Sequence, residues 1–167
     1  MVREASSEPA KNGLTWLWLS LAVLAFDLIT KELVIDRFAL GESIRIIPNL
    51  LDFTRVHNLG AAFSFLSDAS GWQRWFFSAL ALVVSAMLAW WLYKTPRGDW
   101  KQCAPFALII GGAIGNLMDR LRHGYVVDFI DAYIGQHHWP AFNIADSAIV
   151  VGVVFMLVTG LLDSRRK

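Results

Sequence analysis

Seven polar side chains stand out in the stretch GGAIGNLMDRLRHGYVVDFIDAYIGQHHWPAFNIAD, residues 111–146: Asn116, Asp119, Arg120, Asp128, Asp131, Asn143 and Asp146. The stretch starts inside one apolar run, leaves it through a polar turn and enters another. Carboxylates at the edge of a hydrocarbon slab are costly and ask for a reason. Asp128 lies just past the end of the first run and Asp146 just inside the second, so both fall near one interface, where water still reaches. Two carboxylates a few ångströms apart cannot both ionise cheaply and share a proton. One then activates water as general base, while the other polarises a carbonyl and helps to protonate the leaving nitrogen. The spacing alone leaves a second reading open, two solvated acids at helix ends favoured by the N-terminal dipole. Asn143 precedes Asp146 by three residues. It is placed to donate to Asp146 or to cap the helix that carries it.

Other polar residues sit where burial is expensive. Asp27 and Lys31 are four apart, on one helix face, and can pair. They are either a structural pair, with Lys31 snorkelling outward, or contacts that steady a site. Asn116 meets Asp119 and Arg120 at the next turn, so the three share a face that must point away from lipid. An Arg beside an Asp reads first as an ion pair that fixes geometry. Gly111 and Gly115 have the spacing that lets two helices approach closely. Competing chemistries have less support. The chain has no HExxH and no GxSxG, and no Ser–Lys arrangement stands out. His57, His123, His137 and His138 lack a spacing that would recommend a zinc site. The lone Cys103 can form no intrachain disulfide and reads as a packing residue.

These residues need a scaffold, and the composition says which kind. Hydrophobic residues make up 56% and charged residues 17%, with a mean hydropathy of +0.46. Those values, with long apolar runs, predict an all-α integral membrane protein in one domain over 1–167. Four runs are expected to span as helices, at about 14–35, 72–93, 104–121 and 141–162, because unpaired backbone is not tolerated in lipid. Arg3, Lys11, Lys94, Arg97, Lys101, Arg165, Arg166 and Lys167 fall on one side of those spans. The positive-inside rule makes that side, with both termini, cytoplasmic. The net charge of +1 and the lack of a dense basic tract give no case for nucleic acid. Of the outer segments, 36–71 and 122–140, the first holds SIRIIPNLLDFTRVHN. Its β-branched residues and Pro48–Asn49 turn predict a small β-containing segment at the membrane surface between helices 1 and 2. The small, apolar residues from Gly60 to Leu66 are suited to a mobile lid.

Five blocks then carry a resemblance: Asp27-Leu28-Ile29-Thr30-Lys31, Asn58-Leu59-Gly60-Ala61-Ala62-Phe63-Ser64, the Gly111–Arg120 run, Val126-Val127-Asp128-Phe129 and Phe142-Asn143-Ile144-Ala145-Asp146. In order, on a chain of this length, they resemble the lipoprotein signal peptidases, the bacterial signal peptidase II family. Leu59 departs from the family, where Thr is more usual. The resemblance implies an inner-membrane aspartyl endopeptidase with its site near the outer face. Such an enzyme cuts prolipoproteins just before a diacylglyceryl-modified cysteine, works among membrane lipids with no metal or organic cofactor, and is inhibited by globomycin-like cyclic peptides. It implies Asp128 and Asp146 as the catalytic pair. Asp27, Lys31, Asn58, Gly60, Asn116, Asp119, Arg120 and Asn143 would bind substrate or support the site. Two alternatives stand beside it: a four-span protein that holds lipoproteins without cutting them, and an intramembrane protease of another specificity.

Overall fold

The computed structural model describes residues 12–60 and 71–164. Most of the Gly60–Leu66 segment, and the basic groups at Arg3, Lys11 and 165–167, lie outside them. Four long helices dominate: α1 (Leu17–Arg37), α2 (Trp72–Lys94), α3 (Trp100–His123) and α4 (Ile144–Ser164). At ~1.5 Å per residue each is ~30 Å long or slightly more. A 3-10 turn, Gly13–Trp16, leads into α1. It is tied to the α2–α3 link by the Asn12–Pro96 bridge, the Gly13 N–H on the Thr95 carbonyl (2.7 Å) and the Trp16 indole on the Arg97 carbonyl (3.0 Å).

Among the described residues, three helical stretches are long and apolar enough to cross a membrane: Gly13–Arg37, Trp72–Lys94 and Ile144–Leu162. The expected third span does form a helix, of 24 residues, but its composition is less apolar than that of the others. The physical reason is its position. α3 packs against α1, α2 and α4, so much of its surface meets protein and tolerates Asn116, Asp119 and Arg120. The approach is close. A methyl group on Gly111 would lie 2.7 Å from the Ser20 carbonyl oxygen, and one on Gly112 would collide with the Ala145 carbonyl oxygen of α4. Ser20 fastens the same α1–α3 contact through its hydroxyl on the Ala107 carbonyl, 2.7 Å.

At the opposite end from the Gly13 turn lies a four-stranded antiparallel sheet in the order β1 (Ser43–Ile47), β2 (Leu51–Asn58), β3 (Val126–Ile134) and β4 (His137–His138). The expected hairpin is present as β1–β2. Its turn is closed by the Leu50 N–H on the Ile47 carbonyl at 3.1 Å, with Asn49 at φ 62°. Proline followed by a left-handed Asn is a turn signature. The second half of the sheet was not expected. Val126–Ile134 is rich in β-branched and aromatic residues, and Gly135 (φ 63°) with Gln136 closes a two-residue hairpin. The sheet therefore joins both outer segments, 36–71 and 122–140, and does not belong to the first alone.

Candidate active site

Three backbone devices bring the polar residues together. β2 pairs with β3 so that Val56 faces Asp128 and Asn58 faces Val126. Side chains two apart on a strand share a face, which makes Asn58 and Asp128 diagonal neighbours. The Asn58 amide accordingly donates to Asp128 Oδ2 at 2.9 Å. Next, Phe142 pairs with Ile130 in an isolated bridge, which brings the start of α4 alongside β3. Finally, Asp119 of α3 accepts the Val127 backbone N–H at 3.0 Å and holds β3 against the helix.

The first turn of α4 is closed by a reciprocal cap. Asn143 Oδ1 accepts the Asp146 N–H at 2.9 Å, and Asp146 Oδ2 accepts the Asn143 N–H at 3.3 Å. This is a capping box with Asp in the acidic position, and it explains why the helix starts at Ile144 and not at Ala141. Asp146 therefore sits in the first turn, nearer the interface than a start at Ala141 would put it. The Asn143 side-chain amide is left to donate to Asp128 Oδ1 at 2.7 Å. One residue thus bridges both carboxylates, its backbone on Asp146 and its side chain on Asp128.

Beneath lies a buried ion cluster. Lys31, 1% exposed, meets Asp27 at 2.8 Å, Asp119 at 3.1 Å and Asn116 Oδ1 at 3.0 Å. With its oxygen on Lys31, Asn116 must turn its amide the other way, and it donates to Asp146 Oδ1 at 2.7 Å. Asp27 reaches across to accept the Ala145 N–H at 2.9 Å, satisfying another open donor of α4. The ion pair expected between Asp119 and Arg120 gives way to Asp119–Lys31, because adjacent residues on a helix do not face each other. Arg120 instead donates to the Gly60 carbonyl at 2.9 Å, and the Gly60 N–H is held by Asn58 Oδ1 at 3.0 Å. Lys31 does not snorkel.

All ten residues singled out as site candidates, Asp27 through Asp146, meet in this one cluster. Asp131 does not. It lies on the sheet opposite Asp52 and pairs with His138 at 2.9 Å. Among the described residues, no group of three or more His, Cys, Asp or Glu could hold a metal ion.

The electrostatics are uneven. Asp128 is 2% exposed, whereas Asp146 is only partly buried and lines a cavity of about 610 Å³. Burial, and then the negative charge of Asp146, push the Asp128 carboxyl up to about 7, against the opposing pull of the Asn58 and Asn143 amides. Four carboxylates (Asp27, Asp119, Asp128, Asp146) surround two cations, Lys31 and Arg120. One shared proton on the Asp128–Asp146 pair relieves part of that imbalance.

The cavity opens beside α4 and is walled by Val126, Trp139, Phe142, Ile149 and Val150, with Asn58, Asn116 and Arg120 at its polar end. The apolar wall was missed from sequence. Trp139 and Phe142 belong to the segment that follows β4, and the two-residue hairpin at Gly135–Gln136 was the signal that could have located it. The arrangement suits hydrolysis of an apolar, extended substrate, with water reaching Asp146.

A profile of the family described as "Signal peptidase (SPase) II" matches residues 19–162. A lipoprotein signal peptidase of Xanthomonas campestris pv. campestris (strain 8004) is 51% identical over 161 residues, covering 96% of each chain. One from Xanthomonas oryzae pv. oryzae (strain PXO99A) is 52% identical, covering 97% of this chain and 98% of its own. Among solved structures, a bacterial membrane enzyme determined by the in meso method at 2.3 Å resolution superposes with a TM-score of 0.82 at 33% identity, covering 92% of this chain and 91% of that one. The chain belongs to the signal peptidase II family.

Proposed function

We propose that this peptidase is an aspartyl endopeptidase of the bacterial inner membrane. It removes the signal peptide of diacylglyceryl-modified prolipoproteins by cutting before the lipidated cysteine. The observation that carries this reading is the Asp128–Asn143–Asp146 bridge, whose Asp146 lines an apolar cavity. All four long helices span, both termini are cytoplasmic, and the sheet end with the aspartate pair faces outward. Trp16 and Trp18 at the start of α1, and Trp72 and Trp75 at the start of α2, mark the two opposite interfaces.

The chemistry assigns different work to the two acids. Asp146, open to the cavity, takes the proton of water as its oxygen attacks the scissile carbonyl. Asp128 carries the shared proton, polarises that carbonyl and then gives the proton to the departing nitrogen. The pair titrates as a unit. The acid function fails when the shared proton is lost, so turnover is expected to fall as pH rises through about 7, the value set for Asp128. Linkage has the same sign. The folded carboxyl holds its proton more tightly than the ordinary 3.8. Its contribution to stability is complete below 3.8 and is lost as pH passes about 7. A pH–rate profile in liposomes that stays flat from 6 to about 9 would remove Asp128 as the proton carrier.

Asn143→Ala is expected to lower kcat about 10- to 100-fold with little change in KM, because Asn143 touches the two acids and holds their geometry. A rise in KM alone would assign Asn143 to substrate binding.

The test of the whole reading is a gel-shift cleavage assay in detergent or liposomes. One substrate is a prolipoprotein carrying the diacylglyceryl-cysteine and the other is the same chain unmodified. Cleavage of the lipidated form alone, blocked by a globomycin-like inhibitor, is expected. Equal cleavage of both would mean a protease of another specificity, and none by folded protein would leave a lipoprotein-holding role.

A further inference from the structure

A second cavity, of about 380 Å³, lies between α1 and the sheet. Phe26, Thr30, Leu33 and Arg37 form one wall, and Phe53 and Ile130 form part of the other. It is separate from the catalytic cavity: Phe142 lines that one and Ile144, two residues on, lines this one. The mechanism above makes no use of it.

We propose that this groove binds one anionic phospholipid of the outer leaflet, with its phosphate on Arg37 and an acyl chain along α1. The proposal rests on the reading that α1 spans with its C-terminal end outward. The four α1 residues are spaced by four, three and four, so they form a single stripe on the helix. At ~1.5 Å per residue the stripe is ~16 Å long, close to half of a ~30 Å hydrocarbon core. Its order matches a lipid's own. The cation stands in the last turn of α1, at the interface, and the apolar residues run inward from it.

The chemistry at each level also fits. Arg37 is exposed and has no ion-pair partner among the described residues. Among the described residues it is the only charged one lining the groove. The nearby acids point elsewhere. Glu32 lies 3.7 Å from Arg122, and Asp36 adjoins Arg37 in the chain and so projects ~100° away around the helix. A guanidinium takes a phosphate with two parallel N–H donors. Deeper in, Phe26 is 57% and Leu33 49% exposed, leaving apolar surface for a chain to cover. The Thr30 hydroxyl adds no polar demand, because it already donates to the Phe26 and Asp27 carbonyls at 2.8 and 2.9 Å.

Native mass spectrometry of the full-length protein in detergent tests this. Phosphatidylglycerol is titrated against phosphatidylcholine of the same acyl chains, with wild type, Arg37→Gln, Arg37→Lys and Leu33→Trp. Wild type should retain one phosphatidylglycerol with roughly fivefold preference. Arg37→Gln should lose the preference and Arg37→Lys keep part of it. Leu33→Trp, which fills the groove, should lose the bound lipid with either headgroup. Equal retention of both lipids by wild type would overturn the proposal, as would unchanged preference in Arg37→Gln or unchanged retention in Leu33→Trp. Prolipoprotein cleavage by the same preparations separates the two readings. A cleaving enzyme without lipid preference sinks only the groove. A lipid-selective protein that does not cleave leaves the groove standing and sinks the peptidase mechanism.

Discussion

Asp128→Asn and Asp146→Asn are each expected to reduce prolipoprotein cleavage by at least ~10³-fold, within the range that a lost general acid or base produces. The two variants should differ in stability. Both oxygens of Asp128 accept an amide, from Asn58 and from Asn143. An asparagine there offers one oxygen and one NH₂, so a donor must face a donor in a site only 2% exposed. Such a buried mismatch costs ~1–3 kcal/mol. Asp146 is also doubly engaged, by Asn116 and the Asn143 N–H, but it opens on the cavity, where water relieves the conflict. Thermal unfolding of both variants beside the gel-shift assay reads the two effects separately. Wild-type cleavage by either folded variant would dissolve the pair as the catalytic unit.

Lys31→Met should produce the largest loss of stability, ~3–5 kcal/mol, the usual result of removing one partner from a buried ion pair. Here one ammonium serves two carboxylates, Asp27 and Asp119, both nearly inaccessible. The same change removes one of the two donors that hold Asn116 Oδ1 and leaves only the Asn143 amide at 3.2 Å, which loosens the grip on the amide that donates to Asp146. Adding Asp119→Asn separates these effects. It removes one stranded charge and keeps an acceptor for the Val127 N–H. The double variant is expected to recover part of the stability, since Asp27 still lacks its cation, but not the activity, since the Lys31 donor to Asn116 is still missing. Unfolding of Lys31→Met within ~1 kcal/mol of wild type would show that the cluster tolerates the loss of its cation.

The site was far more legible in the sequence than the surface around it. Asp27 and Lys31, or Asn116 and Arg120, stand out because polar side chains inside apolar runs demand partners, and i,i+4 spacing states which face they share. The Asp119–Lys31 pairing was not legible. Choosing between Lys31 and Arg120 as partner requires knowing which helices touch. The sheet was half legible for a related reason. Pro48–Asn49 announces a turn, but Val126–Ile134, in the second outer segment, has no turn-linked neighbour to announce it as a sheet strand until its partner β2 is known. Trp139 and Phe142 carry no periodic signal; beyond the Gly135–Gln136 hairpin, their place is fixed by the Trp139 N–H on the Ala132 carbonyl and by the bridge from Phe142 to Ile130.

Asp27 also bears on how the chain is made. Its carboxylate is tied at once to Lys31, one turn along the same helix, and to the N–H of Ala145, 118 residues later. The first partner is present as soon as α1 leaves the ribosome, so the helix enters the bilayer with its two charges already paired, which spares it part of the penalty each would meet alone. The second partner arrives only when α4 has been synthesised. A stalled or truncated chain therefore contains an inserted first helix without an assembled site, and proteolytic capacity appears only with completion of the last helix.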